Sequence, residues 1–160
     1  MGTSSFFEYP APDEEQPPDE LLFLSGQSEA HWRAIFAHAQ PQRVRAGDVL
    51  IRRGEVERAI YIVIAGALEV VSVEGGASGA RVIPVPTGSV IGEIGFFDAR
   101  PRSATVRAVT DGEVRRLDHE GYEALARSDP ALARTLLFEL GRIVAVRLRQ
   151  TNEFIRGWLG

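Results

Sequence analysis

The chain contains neither cysteine nor lysine. Without cysteine, disulfides, thiol catalysis, iron–sulfur clusters and thiolate haem ligation are excluded. The 18 basic residues are therefore all arginine, and they face 22 acidic residues for a net charge of −4. A mildly acidic chain is a poor candidate for general nucleic-acid binding. No apolar run reaches membrane-spanning length and the N-terminus carries no basic-then-apolar signal, so we expect a cytoplasmic protein that does not contact the membrane.

Clusters typical of catalytic or metal sites are also missing from the sequence. None of the 3 histidines lies among the predicted strands, whereas metalloenzymes of jelly-roll shape hold their metal with histidines and a glutamate on strands. No Ser/His/Asp arrangement is visible. Glu93 and Asp98 form a possible acid–base pair, but Arg102 beside them favours ligand binding. We therefore expect no metal, no cofactor and no enzymatic activity.

The length and composition predict one domain with a short extension. A chain of 160 residues with 44% hydrophobic residues is large enough for a real core. Residues 1–24 are rich in proline and acidic residues, which predicts a flexible tail, although Phe6, Phe7 and Tyr9 form a possible docking motif. The domain itself is predicted over residues 25–160. Its first helix has Ser28 as a candidate N-cap and is expected to end at Pro41.

The middle of the chain has the pattern of a β-structure. Turn residues recur at short intervals between residues 42 and 118, for example at Gly54–Glu55, Ala65–Gly66 and Asp111–Gly112. Short strands at such spacing favour an antiparallel barrel or jelly roll. The segment Ala59–Ile64 is apolar throughout, which predicts a strand that is buried on both faces.

Two helices are predicted after the strands, at about 119–127 and about 130–157. Asp129–Pro130 is typical of a helix start, with a capping aspartate followed by proline at the first helical position. Apolar residues of the longer helix recur at a three-four spacing in a stripe that includes Leu132, Leu136, Leu140 and Val144. A small barrel cannot cover so long a helix, so an exposed stripe predicts a partner, most simply a second copy of the chain.

The most informative segment is Ile91–Val106. It contains Gly92–Glu93–Ile94–Gly95 and, 9 residues after the glutamate, Arg102–Ser103–Ala104. The two glycines allow backbone N–H groups to approach a ligand closely. The guanidinium of Arg102 is a planar charged fork that suits a phosphate, and a glutamate carboxylate accepts a hydrogen bond from a ribose hydroxyl. Together these residues predict a pocket for one phosphorylated sugar.

This segment resembles the phosphate-binding cassette of the cyclic nucleotide-binding domain family, which includes the bacterial catabolite activator protein and the regulatory subunits of cyclic-AMP-dependent protein kinase. A second signature of the family lies upstream, in Leu50–Glu55, Ile60–Val63 and Gly66. The resemblance covers roughly residues 25–157. It departs from the family pattern at Phe96 and at Glu57, and we expect the latter to touch only a surface turn.

The resemblance implies both a fold and a function. The fold is α+β, an eight-stranded antiparallel jelly-roll β-barrel with an N-terminal helix and two C-terminal helices. The function is a sensor that binds cyclic AMP or cyclic GMP. Phosphate draws the cassette inward, the C-terminal helix swings over the base as a lid, and the change is passed to an unknown protein partner. Homodimerisation through the C-terminal helix is a further expectation.

The resemblance also assigns roles within the site. Glu93 takes the ribose 2′-hydroxyl, with bracing of the loop as the alternative role, and Arg102 takes the cyclic phosphate. The backbone amides of Ile94 and Gly95 complete the phosphate cradle with Ser103. Arg147 lies where relatives contact the purine, although it could also reach solvent or pair with an acidic residue across a dimer. The remaining residues that the resemblance places in the site are Gly92, Ala104 and Val82.

Several alternatives stay open at this point. Transcription factors of the family carry a DNA-reading domain after the long helix. This sequence ends at Gly160, so we expect none here unless the chain is the ligand-binding fragment of a larger transcription factor, channel or kinase. The ligand could also be a cyclic dinucleotide, or the domain could bind nothing. Ser103 occurs with both cyclic AMP and cyclic GMP in the family, so the base is undecided.

Overall fold

The structure, a computed structural model, describes residues 6–9, 18–72 and 81–159. Its helices are α1 (Glu29–Phe36), α2 (Glu93–Asp98), α3 (His119–Ser128) and α4 (Pro130–Leu159), and a single 3-10 turn spans Asp19–Leu21. Its strands are β1 (Gln40–Val44), β2 (Val49–Ile51), β3 (Ala59–Ala65), β4 (Leu68–Ser72), β5 (Arg81–Val85), β6 (Val90–Ile91), β7 (Thr105–Ala108) and β8 (Gly112–Asp118).

The strands form two four-stranded antiparallel sheets. Their orders are β1-β8-β3-β6 and β2-β7-β4-β5, so each sheet combines strands from distant parts of the chain. This is the strand order of a jelly roll, which confirms the predicted α+β fold class. The strands begin at Gln40, slightly before the predicted 42, and end at Asp118 as expected.

Strand β3 is buried on both faces, as its uninterrupted apolar sequence predicted. Tyr61 and Val63 point between the two sheets and belong to the cluster that fills the jelly roll. Ile60 and Ile62 point the other way, into a second cluster shared with the helices. Both sides of the strand are therefore shielded from water, and alternation of polar and apolar residues is not needed there.

The apolar stripe of α4 is buried within the chain. Leu132 is 4% exposed, and Leu136, Leu140 and Ile143 are 0% exposed because they pack into the second cluster, against β3 and α1. The expectation that this stripe is exposed and pairs two chains is therefore wrong. A truncation such as Leu140→Ala is expected to cost about 2–5 kcal/mol of folding stability.

The helix starts follow the predicted caps. Ser28 Oγ accepts a hydrogen bond from the backbone N–H of His31 at 3.2 Å, and Asp129 Oδ1 accepts one from Leu132 N–H at 3.0 Å. Helix α1 nevertheless ends at Phe36, well before Pro41. That proline lies in β1 at the edge of its sheet, where a missing N–H is tolerated.

Parts of the predicted tail belong to the body of the domain. Phe7 and Leu24 are 8% and 1% exposed, and Phe7 packs against Trp32 with ring centroids 4.9 Å apart. The backbone N–H of Glu8 donates to Ile64 O at 2.9 Å. Burial of these apolar residues outweighs the effect of the surrounding proline-rich, acidic sequence, which disfavours folding. Residues 6–9 and 18–24 are therefore not a tail. Residues 1–5 and 10–17 of the predicted tail lie outside the described residues.

Candidate functional site

The cassette predicted from the sequence folds as β6, Gly92, helix α2 and a turn that leads to Arg102. Gly92 has a φ of +87°, and a Cβ atom there would lie 2.7 Å from Ala59 O and 2.8 Å from Arg102 Nη1. Both distances are too short for a carbon atom. A glycine is therefore required at this position, both for the left-handed backbone and for the close approach of the arginine.

Arg102 is buried beneath the cassette, at 4% exposure. Its Nη1 donates to Gly92 O at 2.9 Å, and its Nη2 donates to Ala59 O at 2.8 Å and to Glu57 Oε2 at 3.2 Å. Its buried Nε has no hydrogen-bond partner among the described residues. The Nε donor is therefore still available to a phosphate, whereas both terminal nitrogens already donate hydrogen bonds within the chain.

Glu57 does more than occupy a surface turn, and the expectation that this departure has little consequence is wrong. Its carboxylate accepts from Arg116 Nε at 2.7 Å, from the Tyr61 hydroxyl at 3.0 Å and from Arg102 at 3.2 Å. Burial opposes ionisation of this carboxyl, but the hydrogen bonds from Arg116, Tyr61 and Arg102 outweigh burial, so the pKa of Glu57 is lowered. The only signal of this role in the sequence was that Glu57 departs from the family pattern.

The same ion pairs continue to the start of α3. Arg116 Nη1 lies 3.0 Å from Asp118 Oδ2, and Asp118 Oδ1 accepts from the backbone N–H of Gly121 at 2.8 Å. The Gly121 hydrogen bond is the main reason why the pKa of Asp118 is lowered, with Arg116 adding to it against the effect of burial. Arg102 is thus connected through Glu57 and Arg116 to the N-cap of a helix that packs on α4.

Glu93 is also buried and paired. It is 5% exposed, and Arg147 Nη1 lies 2.5 Å from its Oε1. Arg147 Nη2 donates to Val90 O at 2.7 Å, immediately before the cassette. The Arg147 side chain is 31% exposed, and its guanidinium pairs with an acidic residue of its own chain and not with one across a dimer. It lies in the site, on the carboxylate that the resemblance assigns to the ribose.

A single cavity of about 760 Å³ joins these groups, a size in the usual range of ligand pockets. Every predicted site residue lines it, namely Val82, Gly92, Glu93, Ile94, Gly95, Arg102, Ser103, Ala104 and Arg147. Val82 and Ile94 are 45% and 50% exposed, and Ser103 is also exposed, so these three contribute an open part of the wall. That these residues bind a ligand stays a prediction.

Sequence reasoning missed other residues of the cavity wall. Gln150 and Thr151 follow Arg147 by less than two helical turns and line the cavity beside it, which helical periodicity could have indicated. Pro18 and Leu21 also line it, although they were assigned to the tail. At the far end of α4, the guanidinium of Arg81 lies 4.2 Å from the ring centroid of Phe154, so the helix also contacts β5.

In the part of the chain that the structure describes, no group of three or more His, Cys, Asp or Glu side chains is placed to hold a metal ion. The described helices also include none with the length and hydrophobicity of a membrane span.

Comparison with known proteins agrees with the geometry. The profile of the cyclic nucleotide-binding domain family matches residues 41–129, more than half of the chain. The chain belongs to this family. The match includes the whole cassette and most of the jelly roll, and it ends just before α4.

The relatives of this chain are proteins of several kinds. A cAMP-dependent protein kinase regulatory subunit from Dictyostelium discoideum is 25% identical over 142 residues, which cover 89% of this chain and 43% of the relative. A cyclic nucleotide-gated potassium channel from Rhizobium etli is 30% identical over 61% of this chain and 26% of the channel. The crystal structure of Thermus thermophilus catabolite activator protein superposes with a TM-score of 0.71 at 25% identity, covering 86% of this chain and 62% of that one. The chain thus spans less than half the length of these two curated relatives.

Proposed function

We propose that this domain is a sensor that binds cyclic AMP or cyclic GMP in the cavity between the cassette and α4. The observation that carries the proposal is the burial of one arginine and one glutamate, Arg102 and Glu93, on the wall of the same cavity. A buried guanidinium supplies charge-assisted hydrogen bonds to a cyclic phosphate, and a buried carboxylate accepts from a ribose hydroxyl. Family membership supports the same ligand class.

The contacts of these two residues suggest how binding changes the domain. A phosphate at Arg102 competes with Glu57, whose charge stays compensated by Arg116 at 2.7 Å. A ribose hydroxyl at Glu93 competes with Arg147 on α4. The first exchange alters the ion pairs that lead to the start of α3, and the second alters the ion pair between the cassette and α4. Ligand binding therefore favours a different position of α4. A ligand can shift such an equilibrium only through its differential affinity for the two positions.

The signal leaves the domain through α4 in this proposal. The face of α4 opposite the buried stripe carries Phe138, Leu148 and Ile155, which are 79%, 58% and 48% exposed. With Gly141 they recur at intervals of three and seven residues along the helix, and an added Cβ at Gly141 would meet nothing within 4 Å. A glycine in open space allows another helix to approach closely. We propose that this face pairs with α4 of a second copy of the chain.

Calorimetric titration with cyclic AMP, cyclic GMP and a cyclic dinucleotide, run in parallel, tests the proposed ligand. We expect saturable one-site binding of a cyclic mononucleotide. Binding of the dinucleotide alone would redirect the proposal to that ligand, and heat signals for none of the three would refute it. If chromatography shows instead that the nucleotide is chemically converted during the titration, the domain is catalytic.

A further inference from the structure

A short segment ahead of α1 forms part of the cavity wall. This strap, Pro18–Leu22, contains the 3-10 turn at Asp19–Leu21. Pro18 and Leu21 line the cavity, and Leu21 is half-buried against the core that α1, β3 and α4 share. The strap therefore gives the pocket an apolar side that comes from outside the region matched by the family profile, which begins at residue 41.

Helix α4 fixes the position of the strap. Arg142 Nη1 donates to Glu20 O at 2.5 Å, and its Nη2 donates to Leu22 O at 3.0 Å. One guanidinium thus binds the carbonyl groups of the two residues that flank Leu21. Glu139 holds that guanidinium in turn, with Oε1 3.1 Å from Nε and Oε2 3.0 Å from Nη2. A planar fork with two fixed partners leaves the strap little freedom to shift along the helix.

Two more contacts frame the strap. Gln150 Nε2 on α4 donates to Glu20 Oε1 at 3.2 Å, two turns beyond Arg142. At the other end, the backbone N–H of Phe23 donates to Gly88 O at 3.0 Å, in the turn that leads into β6 and the cassette. The strap thus connects α4 to the chain just ahead of Gly92, and it lies beside the helical segment that supplies Arg147.

We propose that Leu21 contacts the base of the bound nucleotide and that Arg142 is the positioning residue that holds it there. This inference rests on the proposed function. The cassette supplies the charged and polar groups that a cyclic phosphate and a ribose need, whereas Pro18 and Leu21 offer only apolar surface, which suits the flat face of a purine. Because Arg142 lies on α4, a shift of that helix on binding also moves Leu21.

The test compares two ligands on matched variants. Cyclic AMP and the same cyclic ribose phosphate without a base are titrated calorimetrically into wild type, Leu21→Ala, Leu21→Met and Arg142→Gln. Arg149→Gln is the control, since it makes the same charge change at an exposed position of α4. Truncation of an apolar contact in a pocket typically costs about tenfold in affinity.

We expect Leu21→Ala and Arg142→Gln to bind cyclic AMP about tenfold more weakly and the base-free ligand within about twofold of wild type. Leu21→Met, which keeps the volume, and Arg149→Gln should both resemble wild type. Amide hydrogen exchange at residues 20–23 should accelerate in Arg142→Gln only. Thermal midpoints measured without ligand verify that each variant is folded.

The outcomes separate this inference from the function on which it depends. If wild type binds cyclic AMP but Leu21→Ala binds it equally well, the strap does not contact the base and the inference is overturned. Equal losses for both ligands would also overturn it, because they would place the effect at the cassette. If wild type binds neither cyclic AMP nor cyclic GMP, the proposed function fails and this inference fails with it.

Discussion

Replacement of Arg102 by alanine is the sharpest perturbation of this site, because the residue has two separable roles. Its guanidinium is the predicted phosphate contact, and it also ties the cassette to β3 through Gly92 O and Ala59 O at 2.9 and 2.8 Å. The change should therefore weaken binding and, independently, lower the stability of the domain without ligand.

Each effect has an expected size. A lost charge-assisted phosphate contact costs about 2–4 kcal/mol of binding, or roughly 30- to 700-fold in Kd. In the protein itself, the buried Ala59 O loses this donor, and the part-buried Gly92 O keeps only the N–H of Phe96, at 3.1 Å. An unpaired buried acceptor costs about 1–3 kcal/mol, and water that enters the emptied space recovers part of this, so we expect a net loss of about 2 kcal/mol. For a domain of this size that lowers Tm by about 4–8 °C, which leaves the fold intact at room temperature.

Calorimetric titration with cyclic AMP measures the first effect, and thermal unfolding without ligand measures the second. Arg100→Ala is the control, because it removes the same charge two residues away at an exposed position. Arg102→Lys keeps the charge but loses the fork, and should recover only part of the affinity. Unchanged affinity in Arg102→Ala, or an equal loss in Arg100→Ala, would refute the assignment of the phosphate to Arg102.

Further predictions concern the other charged and exposed residues of the site and of α4. Glu93→Ala should weaken cyclic AMP strongly and its 2′-deoxy analogue far less in the same titration, and equal losses would mean that Glu93 only braces the loop. Arg147→Ala leaves the buried Glu93 carboxylate unpaired, so Tm should fall, and because Arg147 no longer competes for Glu93, affinity should rise alike for cyclic AMP and its base-free analogue. A loss confined to cyclic AMP would instead place Arg147 on the base. Phe138→Glu should convert a dimer to a monomer in light scattering, and a wild type that is monomeric at every concentration contradicts the proposed pairing. Glu57 has a lowered pKa, so its contribution to stability is present above about pH 4.5 and is lost as the pH falls through the folded-state pKa. Glu57→Gln should therefore flatten the decline of Tm between about pH 5 and 3, and an unchanged decline would contradict this role.

The parts of the fold that the sequence predicted are those that local chemistry determines. Strand β3 has apolar residues on both faces, and the caps at Ser28 and Asp129 act within three residues along the chain. Such features need no knowledge of distant partners, and all of them were correct.

The errors arose where the outcome depends on partners far along the chain. The stripe around Leu136 has the periodicity of a partnered helix, but periodicity does not say whether the partner is another chain or the chain's own sheet. Phe7 lies in a segment whose average composition suggests disorder, yet it finds Trp32 in a groove that only the folded domain provides. Glu57 was dismissed because the residues that it bridges, Arg102 and Arg116, are 45 and 59 positions away.

The pairing of both key charges within the chain changes how affinity in this site should be understood. Arg102 and Glu93 are each buried, and an unpaired charge in such a place would be costly, so each has an oppositely charged partner in Glu57 or Arg147. A nucleotide that binds here exchanges those pairings for its own phosphate and ribose contacts. The net affinity is then the difference between two sets of strong hydrogen bonds, and variation at Glu57 or Arg147 tunes it without touching the ligand. The same exchange gives the ligand its influence over α4, since the partner that Glu93 would release is a side chain of that helix.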